Sequence, residues 1–323
     1  MLEDTLETHT IHNTFIDMIE LSESFFEEET RCGYTISAKM KKVWAVQLDL
    51  VKELLRVCDK HSLRIWVESG TLLGTIRHQG YIPWDDDIDM IMFREDYDTL
   101  LKIAPNEFKS PYFLQCAYTE KVPYPRGHAQ LRMDGTTAIL PNDVNQNFHQ
   151  GIFIDIFVLD AIPDNEVFFA KKLKKANKYL SIAATYYKPI KATRIKTTVH
   201  RTLRKVYCLF YSFVDVYSKY ENILRGETGT MQSERVANIG FWRFEKMVRS
   251  KSVKKVWYEN TLFMPFEGLL VPVPAGYDQI LTCQYGDYMT PRQVSSYHGG
   301  FLILDTDKSY LDYLLEIRKN GHN

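Results

Sequence analysis

Apolar and polar positions along the chain follow two different periods, and together they predict both helices and strands. Between Ser37 and His61 the apolar residues recur at helical spacing, which predicts one long helix with Ser37 as its N-cap. Arg64–Glu68 and Ile88–Phe93 are short apolar runs typical of buried strands. This mixture predicts an α+β fold, in which a mixed sheet is flanked by helices.

The later part of the chain continues the mixture. We predict a helix over Arg94–Ile103 that Pro105 ends, and a core strand within Gly151–Asp160 with Asp160 past its end, as a turn residue or cap. Further predicted elements are strands at Tyr112–Cys116 and His128–Met133, a hairpin turning at Phe266–Gly268, and helices at Tyr277–Gln284 and Lys308–Asn323.

The segment Glu166–Lys205 differs in kind, because it holds twelve Lys and Arg residues but one acid, interleaved with aromatic and aliphatic residues. It predicts two or more helices. A basic amphipathic segment can lie on an anionic membrane surface, or it can be a solvated helical face, and the sequence leaves both open. The four predicted segments are a lead-in at 1–36, a catalytic core at 37–165, a basic helical insert at 166–260 and a part completing the core at 261–323.

Composition then narrows the class of protein. The 323 residues are 45% hydrophobic and 25% charged, as in globular proteins, and the net charge of −1 carries no nucleic-acid footprint. The five cysteines are scattered and odd in number, which favours neither a zinc site nor a disulfide framework. The acidic N-terminus is unlike a signal peptide, and no apolar run approaches the roughly 18–20 residues of a membrane span. We therefore expect a cytoplasmic protein, with contact at the inner face of the membrane as an option for 166–205.

The candidate chemistry lies in W-D-D-D-I-D, where acids run directly into a buried strand. Side chains alternate faces along a strand, so Asp87 and Asp89 point the same way, and Asp85 joins them if the extension continues backwards. Neighbouring carboxylates repel each other unless a cation lies between them, and hard oxygen ligands suit Mg²⁺ or Mn²⁺. The alternative is a solvated acidic turn.

A small-residue turn precedes the acids. Gly70 and Thr71 follow a predicted strand and open a short helix, so backbone N–H groups there can bind phosphate. Arg77 and His78 are candidates to hold donor phosphates beside them. Arg132, on the strand His128–Met133, either contacts donor phosphate or makes a surface salt bridge.

Asp155 is the second acidic feature, a charge in the middle of the apolar strand I-F-I-D-I-F-V-L-D. A buried charge needs a partner. The metal pair Asp87/Asp89 is one candidate partner, and a Lys or Arg elsewhere is the other.

Three blocks carry a family resemblance: E-S-G-T-L-L-G-T-I-R-H-Q-G-Y-I-P-W-D-D-D-I-D at 68–89, H-Q-G-I-F-I-D-I-F-V-L-D at 149–160, and V-P-V-P-A-G-Y-D-Q-I-L-T-C-Q-Y-G-D-Y-M at 271–289. The order of turn, helix and acidic strand resembles the polymerase-β type of nucleotidyltransferase fold, with Gly70-Thr71 in place of the usual Gly-Ser. The blocks resemble the signature of the LicD family of phosphocholine transferases, which includes the fukutin-related proteins.

The resemblance implies Mg²⁺-dependent transfer of a phospho-alcohol, typically phosphocholine from CDP-choline. The acceptor would be a hydroxyl of a cell-surface glycan of teichoic acid or lipopolysaccharide type, or its lipid-linked precursor, and CMP would be released. It also implies that Asp155 is the third acid of the site, as a metal ligand or as the group that accepts the proton of the attacking hydroxyl. Trp84, Tyr285 and Tyr288 are candidates for a cation–π cage around a quaternary ammonium, although ordinary core packing is the simpler reading of aromatic residues.

Two other functions stay open at this stage. A nucleotidyltransferase that transfers NMP from an NTP would use the same acids but release pyrophosphate instead of CMP. A surface or scaffold protein with a degenerate site would bind no metal.

Overall fold

The computed structural model describes residues 21–187, 195–226, 233–293 and 302–320. Most of the predicted lead-in, parts of the basic insert and the residues 294–301 and 321–323 lie outside the described residues. The helices are α1 Ala38–Lys60, α2 Ser69–His78, α3 Arg94–Glu107, α4 Glu166–Tyr187, α5 Ile195–Phe210, α6 Phe213–Arg225, α7 Ile239–Trp242, α8 Glu245–Ser250, α9 Tyr277–Tyr285 and α10 Tyr310–Asn320. The strands are β1 Glu29–Arg31, β2 Tyr34–Ile36, β3 Trp66–Val67, β4 Asp89–Phe93, β5 Tyr112–Gln115, β6 Ala129–Met133, β7 Thr137–Ile139, β8 Phe153–Ala161, β9 Arg235–Ala237, β10 Val253–Lys254, β11 Thr261–Phe266, β12 Leu269–Pro274 and β13 Ile303–Asp305.

A seven-stranded mixed sheet forms the centre of the fold and confirms the predicted α+β class. Its main path runs β10-β9-β8-β4-β3, with β6 also paired to β8 and β5 to β6. The pairing of β4 with β8 is parallel, whereas β6 and β9 pair with β8 antiparallel. The strand β8 is therefore bonded on both edges, and all its residues except Ala161 are buried, which explains why its sequence is apolar apart from its two acids.

The long helix α1 confirms the first prediction from periodicity. The Ser37 hydroxyl caps it by accepting a hydrogen bond from the backbone N–H of Met40 at 3.2 Å. Its buried face includes Trp44, Leu48 and Val51, which pack in the main hydrophobic core. This helix covers one face of the sheet near β6 and β8.

Two local predictions were wrong. The helix α3 continues through Pro105 to Glu107. Pro105 is tolerated because it lies in the last turn, so the backbone hydrogen bond that proline cannot donate is lost only near the end of the helix. The buried Ala104 keeps that turn packed. Asp160 lies inside β8 and is almost fully buried, and its carboxylate accepts two hydrogen bonds from Arg94 at 2.8 Å. A bidentate arginine lets the strand continue through the charge.

The insert is mostly helical in its described residues, as predicted, and its strands β9 and β10 join the central sheet. Helices α4 and α6 pack around a second hydrophobic cluster that includes Phe169, Leu173 and Tyr217. A buried ion network joins this cluster to the sheet, since Arg94 contacts both Asp160 of β8 and, at 3.5 Å, Glu221 of α6. None of the described helices combines the length and the hydropathy of a membrane-spanning segment. The four segment boundaries remain a prediction.

Candidate active site

Four acids meet at one end of the strands β4 and β8. Asp89 and Asp155 are direct Cα partners in the parallel pair, and Asp87 precedes Asp89 by two residues. Carboxylate oxygens of Asp87, Asp89 and Asp155 lie within 4.8 Å of one another, and Asp85, Asp86 and Asp87 form a second such group. The structure thus brings together the acids that the sequence placed on one face.

These carboxylates repel each other. Burial raises the pKa of Asp87 well above its usual range, and the charges of Asp89 and Asp85 raise it further. Burial likewise raises the pKa of Asp89, with the charges of Asp155 and Asp85 adding to the effect. A cluster of hard oxygen ligands with an excess of negative charge fits a divalent cation such as Mg²⁺ or Mn²⁺.

Asp155 differs from the other two acids. Its Oδ1 accepts a hydrogen bond from the side-chain amide of Gln130 at 2.7 Å and lies 3.0 Å from Nε2 of His128. Burial acts to raise the pKa of Asp155, but the His128 ring and the hydrogen bonds from His128 and Gln130 outweigh it, and the pKa falls below its usual value. The partner expected for Asp155 was a lysine or arginine, or the metal pair. In addition to Asp87 and Asp89, the structure places His128 and Gln130 next to Asp155.

The glycine turn is shaped around the acids. A Cβ on Gly70 would lie 2.6 Å from Oδ2 of Asp85, so glycine lets that carboxylate approach the start of α2. The hydroxyl of Thr71 accepts a hydrogen bond from the backbone N–H of Asp89 at 2.9 Å. In the structure Thr71 is buried and ties α2 to the acidic strand.

Glu68, which sequence analysis missed, immediately precedes α2 and belongs to the same group of site residues. Its buried carboxylate accepts hydrogen bonds from the side-chain amide of Gln284 at 2.7 Å and from the hydroxyl of Tyr258 at 3.2 Å. Burial raises the pKa of Glu68 to about 7. Through Gln284, the third sequence block reaches the acid site.

The acids lie at one end of a cavity of about 1210 Å³. Of the predicted site residues, six line it: Gly70, Asp85, Asp87, Asp89, Asp155 and Tyr285. The facing walls are rich in aromatic side chains, which include Tyr124, Phe148, Phe157, Tyr187, Phe241 and Trp242. This pairing of an acidic end with aromatic walls could not be read from the chain, since the aromatic residues come from distant segments.

Cationic side chains also line this cavity, namely Arg126, Arg243 and Lys251, and sequence analysis selected none of them. Arg126 donates a hydrogen bond to Asp143 at 2.8 Å, and the hydroxyl of Tyr187 donates to the other oxygen of Asp143 at 2.7 Å. Because Asp143 lies in the segment between β7 and β8, this trio joins that segment to α4 at the cavity.

The basic residues that the sequence proposed lie elsewhere. Arg77 donates to the backbone carbonyl of Tyr288 at 2.8 Å and to Nε2 of His78 at 2.9 Å, and neither basic residue lines the cavity. Arg132 is buried and donates to the carbonyl of Gly151 and to the side chains of Gln115 and Gln130. The surface salt bridge considered for Arg132 was wrong, because the strand β6 is buried on both faces.

Two of the three candidate cage residues also lie away from the cavity lining. Trp84 packs edge-on against Tyr34, with ring centroids 6.2 Å apart. The hydroxyl of Tyr288 donates to Asp278 at 2.7 Å. Only Tyr285 of the three lines the cavity.

Comparison with known proteins agrees with this geometry. Residues 62–199 match the family described as LicD/FKTN/FKRP, nucleotidyltransferase domain. The chain carries a LicD-family nucleotidyltransferase domain in this segment. The lipopolysaccharide cholinephosphotransferase LicD of Haemophilus influenzae is 26% identical over 245 residues, which are 76% of this chain and 89% of the relative. The human ribitol 5-phosphate transferase FKRP is 38% identical over 81 residues, which are 22% of this chain and only 16% of that protein.

Both relatives bear the names of enzymes that transfer a phosphorylated alcohol. This confirms the prediction that the chain is a transferase rather than a scaffold protein.

Proposed function

We propose that this enzyme transfers phosphocholine from CDP-choline to a hydroxyl of a cell-surface glycan of teichoic acid or lipopolysaccharide type, or of its lipid-linked precursor, and releases CMP. The observation that carries the proposal is the position of Asp87, Asp89 and Asp155, whose carboxylates gather at one end of a large cavity with aromatic walls. The name of the Haemophilus influenzae relative, 89% of whose length aligns with this chain, supports phosphocholine as the transferred group.

Asp87, Asp89 and Asp155 would hold a divalent ion, Mg²⁺ or Mn²⁺, with Asp85 as a further candidate ligand. When bound, such an ion supplies charge neutralisation at the phosphoryl oxygens and at the departing CMP. The raised pKa values of Asp87 and Asp89 support this assignment, since a cation relieves the repulsion that raises them.

The chain's own groups would position the donor. Arg126 is the cavity's candidate for a phosphate contact, and its planar guanidinium suits the oxygens of a diphosphate. Gly70 brings the first turn of α2 to the cavity wall, where backbone N–H groups favour an anion. In this proposal these residues bind the donor phosphates, in place of Arg77, His78 and Arg132, which were the candidates from the sequence.

The reaction itself is a displacement at phosphorus. The oxygen of the acceptor hydroxyl forms a new bond to the phosphorus that carries choline, and the bond from that phosphorus to the oxygen of CMP breaks. Asp155 is the candidate acceptor for the hydroxyl proton, and the hydrogen bond from Gln130 and the adjacent His128 keep it ionised for this role or for metal binding.

The aromatic walls support an alcohol that carries a quaternary ammonium. Such a cation is attracted to the faces of Trp and Tyr rings. Tyr124, Trp242 and Tyr285 line the cavity together with the acids. They form a revised candidate cage in place of Trp84 and Tyr288.

The test is CMP release by the purified protein with Mg²⁺ over a panel of CDP-choline, CDP-ribitol and CDP-glycerol, with a crude glycan extract as acceptor. We expect CMP from CDP-choline, and its loss in the Asp87→Asn and Asp89→Asn variants. Asp59→Asn, an exposed acid on α1, is the matched control and should keep the activity.

Other outcomes would overturn the proposal. Release of CMP from CDP-ribitol alone would keep the reaction but change the donor. Pyrophosphate release from an NTP, without CMP from any CDP-alcohol, would indicate an NMP transferase. Release of neither CMP nor pyrophosphate, together with no calorimetric binding of Mg²⁺ or Mn²⁺, would indicate a degenerate site. The cytoplasmic location of the enzyme stays a prediction.

A further inference from the structure

An exposed apolar surface lies where α5 meets α6. We call it the α5–α6 elbow, and it comprises Leu203, Val206, Leu209, Phe210, Tyr211 and Val214. Leu209 is 81% exposed and Phe210 is 78% exposed, which is unusual for two large adjacent hydrophobic side chains. Leu203, Val206 and Phe210 are spaced by three and four residues, so they share one face of α5. Tyr207, beside this face, and Cys208, opposite it, pack on the insert's own cluster.

Cationic side chains surround the elbow. Lys205 is exposed on α5, and Nζ of Lys219 lies 4.1 Å from the centroid of the Tyr211 ring. The acid at the elbow, Asp215, accepts hydrogen bonds from the backbone N–H of Ser212 at 3.0 Å and from its hydroxyl at 2.7 Å. Asp215 thus caps the N-terminus of α6. The exposed lysines Lys171, Lys174, Lys175 and Lys178 extend the positive charge along α4.

The elbow is also tied to the cavity. The hydroxyl of Tyr186, in the last turn of α4, donates a hydrogen bond to the backbone carbonyl of Tyr211. The next residue, Tyr187, lines the cavity. A surface that docks at the elbow therefore lies close to the wall of the candidate active site.

We propose that the α5–α6 elbow is a membrane-docking surface that inserts its apolar side chains into the interface of an anionic lipid bilayer. Apolar side chains at the tip, with lysines and tyrosines around them, match the layers of such an interface, where acyl chains lie beneath anionic headgroups. A second copy of this chain is a poorer occupant, because a symmetric contact would bring the same lysines together. The inference stands independently of the donor and acceptor in the proposed function.

The first experiment measures sedimentation of the full chain with vesicles of phosphatidylcholine alone or with phosphatidylglycerol added. We expect binding to the anionic vesicles and weaker binding at high salt. The double variant Leu209→Gln/Phe210→Gln should lower the bound fraction about fivefold or more, because two large apolar side chains no longer enter the interface. The matched control is Phe263→Gln/Leu270→Gln on the β11–β12 hairpin, where the two side chains are 66% and 65% exposed, and it should bind like the unaltered protein.

A second measurement guards against a folding defect in the double variant. Phe210→Trp keeps an apolar residue at the elbow, and its added fluorescence should be quenched by vesicles that contain brominated lipids, whereas that of Phe263→Trp should not. Absence of binding to anionic vesicles would overturn the proposal. So would a concentration-dependent dimer that Leu209→Gln/Phe210→Gln disperses, since the elbow would then be a protein interface. Neither readout involves turnover, so failure of the CMP assay leaves this test intact.

Discussion

Asp89 and Asp155 are direct partners across the parallel strands β4 and β8, so the sheet itself holds a partly buried and a buried carboxylate side by side. With Asp87 they form a cluster that opposes folding when no cation is bound, because like charges in a poorly solvated place repel. The same arrangement is what a divalent ion requires. The clustered carboxylates therefore lower the stability of the metal-free protein, whereas the proposed activity requires them.

The first prediction follows from that conflict. In the metal-free protein, Asp87→Asn should raise the free energy of unfolding by on the order of 1 kcal/mol, because it removes one of the repelling charges. It should also abolish most of the stabilisation that added Mg²⁺ or Mn²⁺ gives, and lower CMP release about 100-fold or more. Thermal unfolding with and without metal, beside Asp59→Asn, measures the first two effects. A metal-free variant less stable than the unaltered protein would contradict the assignment.

The second prediction uses two glycines of the helix α2. A Cβ on Gly70 meets the flexible carboxylate of Asp85, whereas a Cβ on Gly74 would lie 2.4 Å from the backbone carbonyl oxygen of Gly80. Gly70→Ala should therefore fold but displace Asp85 and lower activity. Gly74→Ala should lose about 1–3 kcal/mol of stability, since backbone cannot swing away as a side chain does. Chemical denaturation and CMP release distinguish the two, and equal stability losses would contradict this account.

Sequence patterns predicted the acid cluster because its residues can be recognised from short stretches of sequence. Asp87 and Asp89 share a face by the two-residue period of a strand, and Asp155 is conspicuous as a charge in an apolar run. Gly70 was identified from the same turn. The predicted elements were also largely correct, since hydrophobic periodicity reports which faces are buried.

The other site residues depend on tertiary placement. Gln130 stands opposite Asp155 in the register of β6 and β8, and His128 shares its face, but a sequence does not state which strands pair. The alternation of H-A-Q on a buried strand was the one available signal. Arg77 and Arg126 are equally basic in sequence, yet only Arg126 reaches the cavity.

The third prediction concerns the buried ion network. Arg94 is almost fully buried and contacts Asp160, Glu221 and, at 3.8 Å, Asp98. Arg94→Met should cost about 3–5 kcal/mol, because it leaves these acids without their shared cation, and Asp160→Asn should cost less. Arg64→Met is the control, since its pair with Asp96 is largely exposed and worth at most about 1 kcal/mol. Denaturant titrations give the three values, and similar losses for Arg94→Met and Arg64→Met would contradict the role of the network.

The last prediction concerns how the donor is held. Arg126 is fixed by Asp143, which Tyr187 holds from its other oxygen, so its guanidinium has a set direction at the cavity wall. If it binds the diphosphate of the donor, Arg126→Gln should raise the KM for CDP-choline about tenfold, because a charge-assisted hydrogen bond is lost. Arg126→Lys should recover only part of the loss, since an ammonium cannot bind two oxygens side by side.

The controls for Arg126 distinguish donor binding from a structural role. Arg56→Gln, at an exposed pair with Glu53 on α1, should leave both KM and kcat unchanged. Tyr187→Phe removes one hydrogen bond from Asp143 but keeps the Arg126 charge, so its effect on KM should be smaller than that of Arg126→Gln. A lower melting temperature with an unchanged KM in Arg126→Gln would assign the residue to stability alone, and the phosphate contact would then have to come from Arg243, Lys251, the first turn of α2 or the bound metal.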